Sequence, residues 1–230
     1  MTAPQTSVSA GQAERETRRW LERAVIGLNL CPFAKAVHVR GLVHYAVWPE
    51  ADEAGLVERL LSEAESLLTH APSARDTTLL IAPNALADFL DFNAFTARAE
   101  RRLARAGFEG SLQLASFHPR FQFAGSAVDD IGNATNRAPY PTLHLLREAS
   151  IDRAVEAFPA AEAIYERNIE TLTALGAEGW AALNVGPGAD AAGGLPESDR
   201  GPAVPGVAEL PEAADEDEGE SKVTGKGRTP

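Results

Sequence analysis

Residues 118–141 read HPRFQFAGSAVDDIGNATNRAPYP, and no other stretch of the chain is as dense in acid–base and anion-binding groups. His118, Arg120, Asp129, Asp130, Asn133, Asn136, Arg137 and Tyr140 all fall inside it. A histidine beside carboxylates can move protons or hold a metal, while arginines and amides can grip a phosphate or carboxylate. Loops beyond about 12–15 residues inside a compact domain are functional or disordered. Disordered segments are poor in aromatics, and this one carries Phe121, Phe123 and Tyr140. The sequence therefore locates an ordered site here more clearly than it names a reaction.

Cys31, in the string LNLCPFAKAV, is the second chemical candidate. A residue before proline avoids helical backbone, and proline favours the first helical position. That places Cys31 as a helix N-cap, where unpaired N–H groups and the helix dipole stabilise a thiolate, with Lys35 one turn on. It describes a nucleophile or redox thiol. The competing reading, a small buried hydrophobe between Leu30 and Pro32, is the commoner one. His118 is read as a general acid/base or metal ligand at a strand end, against a histidine simply bonded to a loop carbonyl. His144, in TLHLL, shares a strand face with Thr142 and Leu146 and joins His118 if that face meets the long loop. His38, His44 and His70 read as surface groups.

Asp129 and Asp130 offer metal ligands or an orienting carboxylate; adjacent loop acids also serve as turn residues and caps. With His118 and His144 they make a metal set, although the spacing matches no standard zinc signature. Arg120, Asn133, Asn136, Arg137 and Tyr140 read as a substrate grip. The alternative is an internal network that pins the loop, with Arg137 paired to Asp129 or Asp130. No glycine-rich phosphate loop, dinucleotide fingerprint or serine elbow supports nucleotide-dependent or elbow chemistry.

These groups need a scaffold, and the composition bounds it. Residues 1–12 and 189–230 lack the apolar pattern of a folded segment and are expected to be disordered, the latter an acidic, Gly- and Pro-rich tail. Residues 13–188 then form a single domain, large enough for a proper core. The formal charge is -12, and residues 190–230, with ten acids and four bases, account for half of it. An acidic body argues against general nucleic-acid binding. One cysteine precludes an intramolecular disulfide, and no apolar run has the length of a membrane span. A cytoplasmic location and no membrane partner are expected.

Hydrophobic periodicity predicts helices over 13–30, 52–69 and 84–105 and a last long helix from Ser150 to Leu175, ended by Gly176. A helical turn follows Pro32. Asn84 and Ser150 are the expected caps. Strands are predicted over 42–48, 77–82, 112–117 and 142–146, the second apolar throughout and so buried on both faces. The order α-β-α-β-α-β-β-α implies an α/β sandwich with about four mostly parallel strands flanked by helices. The fourth strand follows the third without a helix and can run antiparallel. Ligands in such sheets sit beyond the carboxyl ends of the strands, where the long loop begins.

Several long strings in order, among them WLERAVIGLNLCPFAKAV, ASFHPRFQFAG and DDIGNATNRAPYPTLHLLREASIDRAVE, resemble an uncharacterised family of bacteria and plants, known as domain of unknown function fourteen-fifteen. The resemblance spans residues 19–180. It implies a stand-alone domain and carries no activity, cofactor or residue role. From the residues alone three functions stay open. The first is a small enzyme acting on an anionic metabolite, with Cys31 as nucleophile or redox thiol and His118 as acid/base. The second is a metal-dependent hydrolase using His118, His144 and Asp129 or Asp130, with a divalent metal as cofactor. The third is a non-enzymatic small-molecule binding module. The oligomeric state is not legible.

Overall fold

The computed structural model describes residues 7–157 and 163–188. Its first helix, α1 (Ala10–Trp20), starts three residues before the sequence reading placed it. Ser9 is extended and its hydroxyl accepts the Gln12 N–H, so the cap fixes the start. Ala13, Glu16, Thr17 and Trp20 form its buried stripe. The helix continues as a π-helical stretch (Leu21–Ile26) and breaks at Asn29, whose φ is 53°. A short helix, α2 (Ala34–Val39), follows Pro32 as read.

The rest of the body is β1 (Val43–Val47), α3 (Glu53–Thr69), β2 (Thr77–Ile81), α4 (Phe89–Arg105), β3 (Leu112–Phe117), a 3-10 turn (Ile131–Asn136), β4 (Thr142–Arg147), α5 (Glu148–Ala157) and α6 (Ala163–Ala182). Asp52, read as the first residue of the second long helix, is the cap of α3 and accepts the Gly55 N–H at 2.6 Å. Asn84 does not cap α4. Asp88 does, accepting the Leu90 and Asp91 N–H groups. Asn84 instead bonds Val8 in both directions and donates to the Pro49 carbonyl, tying the chain start to the β1–α3 loop. The last helix is two: α5 begins directly after β4, ahead of Ser150, and α6 kinks at Gly176 (φ 68°) before running on to Ala182. The expected disordered tail lies outside the described residues.

The α/β class and the four strands stand as read, but the neighbours differ from a parallel sheet. Strand order is β1-β2-β4-β3. β1 and β2 pair in parallel, while β4 lies antiparallel between β2 and β3. Three strands thus share a direction, yet only one of the three ladders is parallel. With no helix between β3 and β4, the chain must reverse, and β4 takes the slot beside β2.

The two sheet faces are covered differently. On one, Ala46, Leu80, Leu143 and Leu145 meet Leu56, Leu60, Phe92 and Phe95 of α3 and α4. On the other, Tyr45, Val47 and Ile81 meet α1, and Phe117 packs edge-on to Trp20 with ring centroids 5.0 Å apart. Among the described residues no helix is long and apolar enough to cross a membrane.

Candidate functional site

The polar groups of the long loop are spent on one another. His118 is fully buried. Its Nδ1 accepts the Arg120 N–H at 3.0 Å, so that nitrogen carries no proton. Nε2–H then donates to the Leu86 carbonyl at 3.1 Å. The ring is sandwiched near Phe89 and Phe92, at 5.4 and 5.0 Å. Burial pushes its pKa below the usual value, so it is neutral near pH 7. Neither nitrogen is left for a substrate or a metal. Leu86 holds a left-handed φ of 55°, a conformation that needs such external fixing in a non-glycine residue.

Arg120 grips the same turn, donating to the Ala87 carbonyl at 2.5 Å and the Asp88 carboxylate at 3.3 Å. Asn133 is fully buried; its Oδ1 accepts from Phe123 N–H and the Ser126 hydroxyl, and its Nδ2 donates to the Ala127 carbonyl. Asn136 donates to the Ser116 carbonyl and accepts the His118 N–H through its own carbonyl. Arg137 bonds the carbonyls of Phe121 and Val128 rather than a carboxylate, with Asp130 acting on it only through charge. Asp130 caps the 3-10 turn through the Gly132 N–H. Tyr140 donates to the buried Glu16 carboxylate of α1. An aromatic ladder, Phe89–Phe121–Phe123–Tyr165, fastens the loop from α4 to α6 with centroids 5.0–5.9 Å apart. Of the two sequence readings, the internal network is the one these bonds describe.

Cys31 and His118 are not brought together. Cys31 packs in the cluster of Trp20, Ala24, Val25 and Phe117, on the α1 side of the sheet. His118 follows Phe117 and points to the α4 side, as alternation requires. His144 shares the Cys31 side: its ring lies 6.1 Å from Phe117, and its Nε2 meets the Thr77 hydroxyl at 2.6 Å. That hydroxyl donates to the Leu145 carbonyl, so Nε2 carries the proton. Burial pushes the His144 pKa down to about 4. His118 and His144 therefore lie on opposite faces, and among the described residues no three histidine, cysteine or carboxylate groups converge as metal ligands. The metal set with Asp129 and Asp130 is not assembled.

The cap position of α2 is Phe33, two residues beyond the one expected for Cys31. The Phe33 and Ala34 N–H groups still reach the thiol and favour the thiolate, but burial outweighs them and raises the pKa. Native labelling by iodoacetamide should therefore stay slow at neutral pH and rise only above the ordinary thiol value of about 8.5. Fast labelling with a midpoint below that value would show that the helix N–H groups win.

A different cluster lines an open polar cleft of about 370 Å³ at the opposite end of the sheet, where β1 and β2 begin. Its walls carry His44, Glu63, Ser66, His70 and Arg75. Glu63 is buried. It receives Arg75 at 2.5 Å and Arg59 at 2.8 Å, and His44 Nε2 lies 3.6 Å away. Burial pushes the Glu63 carboxyl up, but the Arg75 hydrogen bond and the two guanidinium charges prevail and hold it below the usual range. Arg75 is itself locked by Thr78 and by the Ser66 hydroxyl at 2.9 Å. Burial and then the Arg75 charge lower the His44 pKa, against the pull of Glu63. The result is a half-exposed neutral imidazole beside a fixed carboxylate, in a cleft lined by Arg75, with the Arg59 guanidinium held against the same carboxylate from outside the lining. Sequence reading took His44 and His70 for surface groups. The available signal was Glu63, an acid on the stripe of Leu56, Leu60 and Leu67, where an ionised group needs a partner.

A family model described as "Protein of unknown function (DUF1415)" matches residues 12–182. The chain belongs to that family. The match covers most of the chain and agrees with the resemblance of the quoted strings. No curated protein and no solved structure matches the chain. All the elements from α2 to β4, and with them both the long loop and the cleft, fall inside the matched DUF1415 segment.

Proposed function

We propose that this DUF1415 domain is a cytoplasmic protein that binds a small anionic metabolite and acts on it by acid–base catalysis, at the cleft around His44, Glu63 and Arg75. One observation carries the reading: a half-exposed imidazole lies against a buried, arginine-fixed carboxylate in a polar cleft. The His44 ring is neutral and its Nε2 lies 3.6 Å from the Glu63 carboxylate, near enough for charge attraction though not for a hydrogen bond. Glu63 thereby stabilises the imidazolium once the ring takes a proton, part of what a carboxylate does in a catalytic triad. Two guanidiniums against one carboxylate leave a positive surplus for an anionic ligand. The anionic substrate expected from the sequence is kept, and its place moves from the long loop to the other end of the sheet.

The test is a titration of the full chain with inorganic phosphate, succinate and citrate, read by the Cε1–H resonances of its five histidines. His44 and His70 should shift along one saturable curve, and an Arg75→Gln variant, which removes a positive charge from the cleft wall, should weaken that response. Shifts confined to His118 would return the site to the long loop. No shift at any histidine in the millimolar range would sink the cleft as an anion site.

A further inference from the structure

The cleft holds a second imidazole, and its orientation is set. His70 ends α3 and is exposed, yet three bonds pin it. Its ring Nδ1 and its backbone N–H both donate to the Ser66 carbonyl, at 2.7 and 3.3 Å. A carbonyl only accepts, so Nδ1 carries the proton and the neutral ring keeps Nε2 as its basic nitrogen. The His70 carbonyl in turn accepts the buried Arg147 guanidinium at 2.7 Å. Ser66 also links this ring to the cation of the cleft, since its hydroxyl accepts Arg75 at 2.9 Å. Arg75 donates in addition to Glu63, which lies 3.6 Å from His44 Nε2. The neighbours therefore run His44, Glu63, Arg75, Ser66, His70, a guanidinium between two imidazoles, and all five line one cleft. The His70 charge is among the causes that lower the His44 pKa, after burial and Arg75, so the two rings sense each other.

That order selects a class of reaction. An anion drawn to Arg75 brings its charged group, not a remote part of it, between the two rings. A carboxylate there offers no bond that proton transfer would break. A phosphate diester does: attack by water needs a base for the water and an acid for the leaving oxygen. A monoester reacts through a looser transition state, in which such groups have less to do. The cleft is open, so water has access, whereas chemistry through reactive intermediates is served by excluding it. We infer that the cleft hydrolyses a small phosphate diester, with His44 and His70 as its two proton-transfer groups and Arg75 as the fixed charge between them. This rests on the reading of the cleft as an anion site. His44 takes a proton from water as the new P–O bond forms. His70, entering as the imidazolium, gives its Nε2 proton to the ester oxygen as the old P–O bond breaks. One water is consumed, a monoester and an alcohol leave, and the two rings reset by exchanging a proton with solvent.

The full chain and three diesters provide the test. Dimethyl phosphate, inert over a titration, should shift the Cε1–H resonances of His44 and His70 along one saturable curve. Bis(para-nitrophenyl) phosphate and diphenyl phosphate should both be hydrolysed faster than in buffer. Nitrophenolate leaves without a proton, whereas phenolate needs one. His44→Gln should therefore slow both esters by about a hundredfold, and His70→Gln should slow diphenyl phosphate by as much while costing the nitrophenyl ester far less. Dimethyl phosphate binding without hydrolysis of either ester would overturn the inference and leave the anion site standing. No shift at His44 or His70 would remove both. Equal losses for the two esters in His70→Gln, or hydrolysis that survives His44→Gln, would overturn the assignment of the two rings.

Discussion

His118→Ala should unfold far more readily than wild type, with a loss of about 3–4 kcal/mol. Two effects add. The missing ring opens a cavity beside Phe89 and Phe92, whose centroids stand 5.4 and 5.0 Å from it. The Arg120 N–H and the Leu86 carbonyl also lose their partners at once. The left-handed Leu86 then has less to hold it, and the turn that leads into the Asp88 cap loosens. Urea unfolding of the variant and of His118→Asn, which restores part of the bonding, measures the effect. A loss under about 1 kcal/mol would mean that the ring is not a structural keystone and would reopen a chemical role for it.

Acid should weaken the fold well before its carboxylates titrate. His44, His118 and His144 are all held below the ordinary histidine value, chiefly by burial. Between the folded and unfolded pKa values the unfolded chain binds more protons, so stability rises with pH there. It is complete above about 6.5 and is lost as pH falls. For His144, whose folded value is about 4, the loss on crossing the whole window reaches about 3 kcal/mol. The half-exposed His44 adds less, since solvent screens it. Urea midpoints at pH 7.5 and 5 for wild type and His144→Gln separate the contributions. Wild type should lose more than the variant. A stability that is flat over that range would show that His144 is protonated without cost.

The sequence carried the elements better than their arrangement, and the reasons are local. The run TTLLIA, apolar on both faces, predicts a central strand, and β2 has neighbours on both sides and every residue buried. Asp52 announces α3 because its carboxylate serves the nearest free N–H. Asn84 misleads because its amide is engaged by residues 76 and 35 positions away, a pull that no local pattern encodes. Likewise nothing in the order of elements says that β4 enters between β2 and β3. The long loop was legible as ordered and polar, but composition does not separate groups that face a ligand from groups that face each other. The cleft was illegible for a related reason. His44, Glu63 and Arg75 belong to three segments, and only Glu63, misplaced on an apolar stripe, hinted that they meet.

The position of β4 also dictates an order of assembly. Among the described strands it is the last to leave the ribosome, yet it supplies both antiparallel ladders of the sheet. Until residues 142–147 emerge, β2 and β3 each present an open edge with unpaired N–H and carbonyl groups, the condition under which chains pair with one another. The 24-residue span from 118 to 141 must be closed before β4 can reach its slot. The loop's internal bonds, from Asn133 to Phe123 and from Arg137 to Phe121, shorten that search by drawing its ends together. A segment dense in polar side chains thus serves as the clasp that lets the final strand close the sheet.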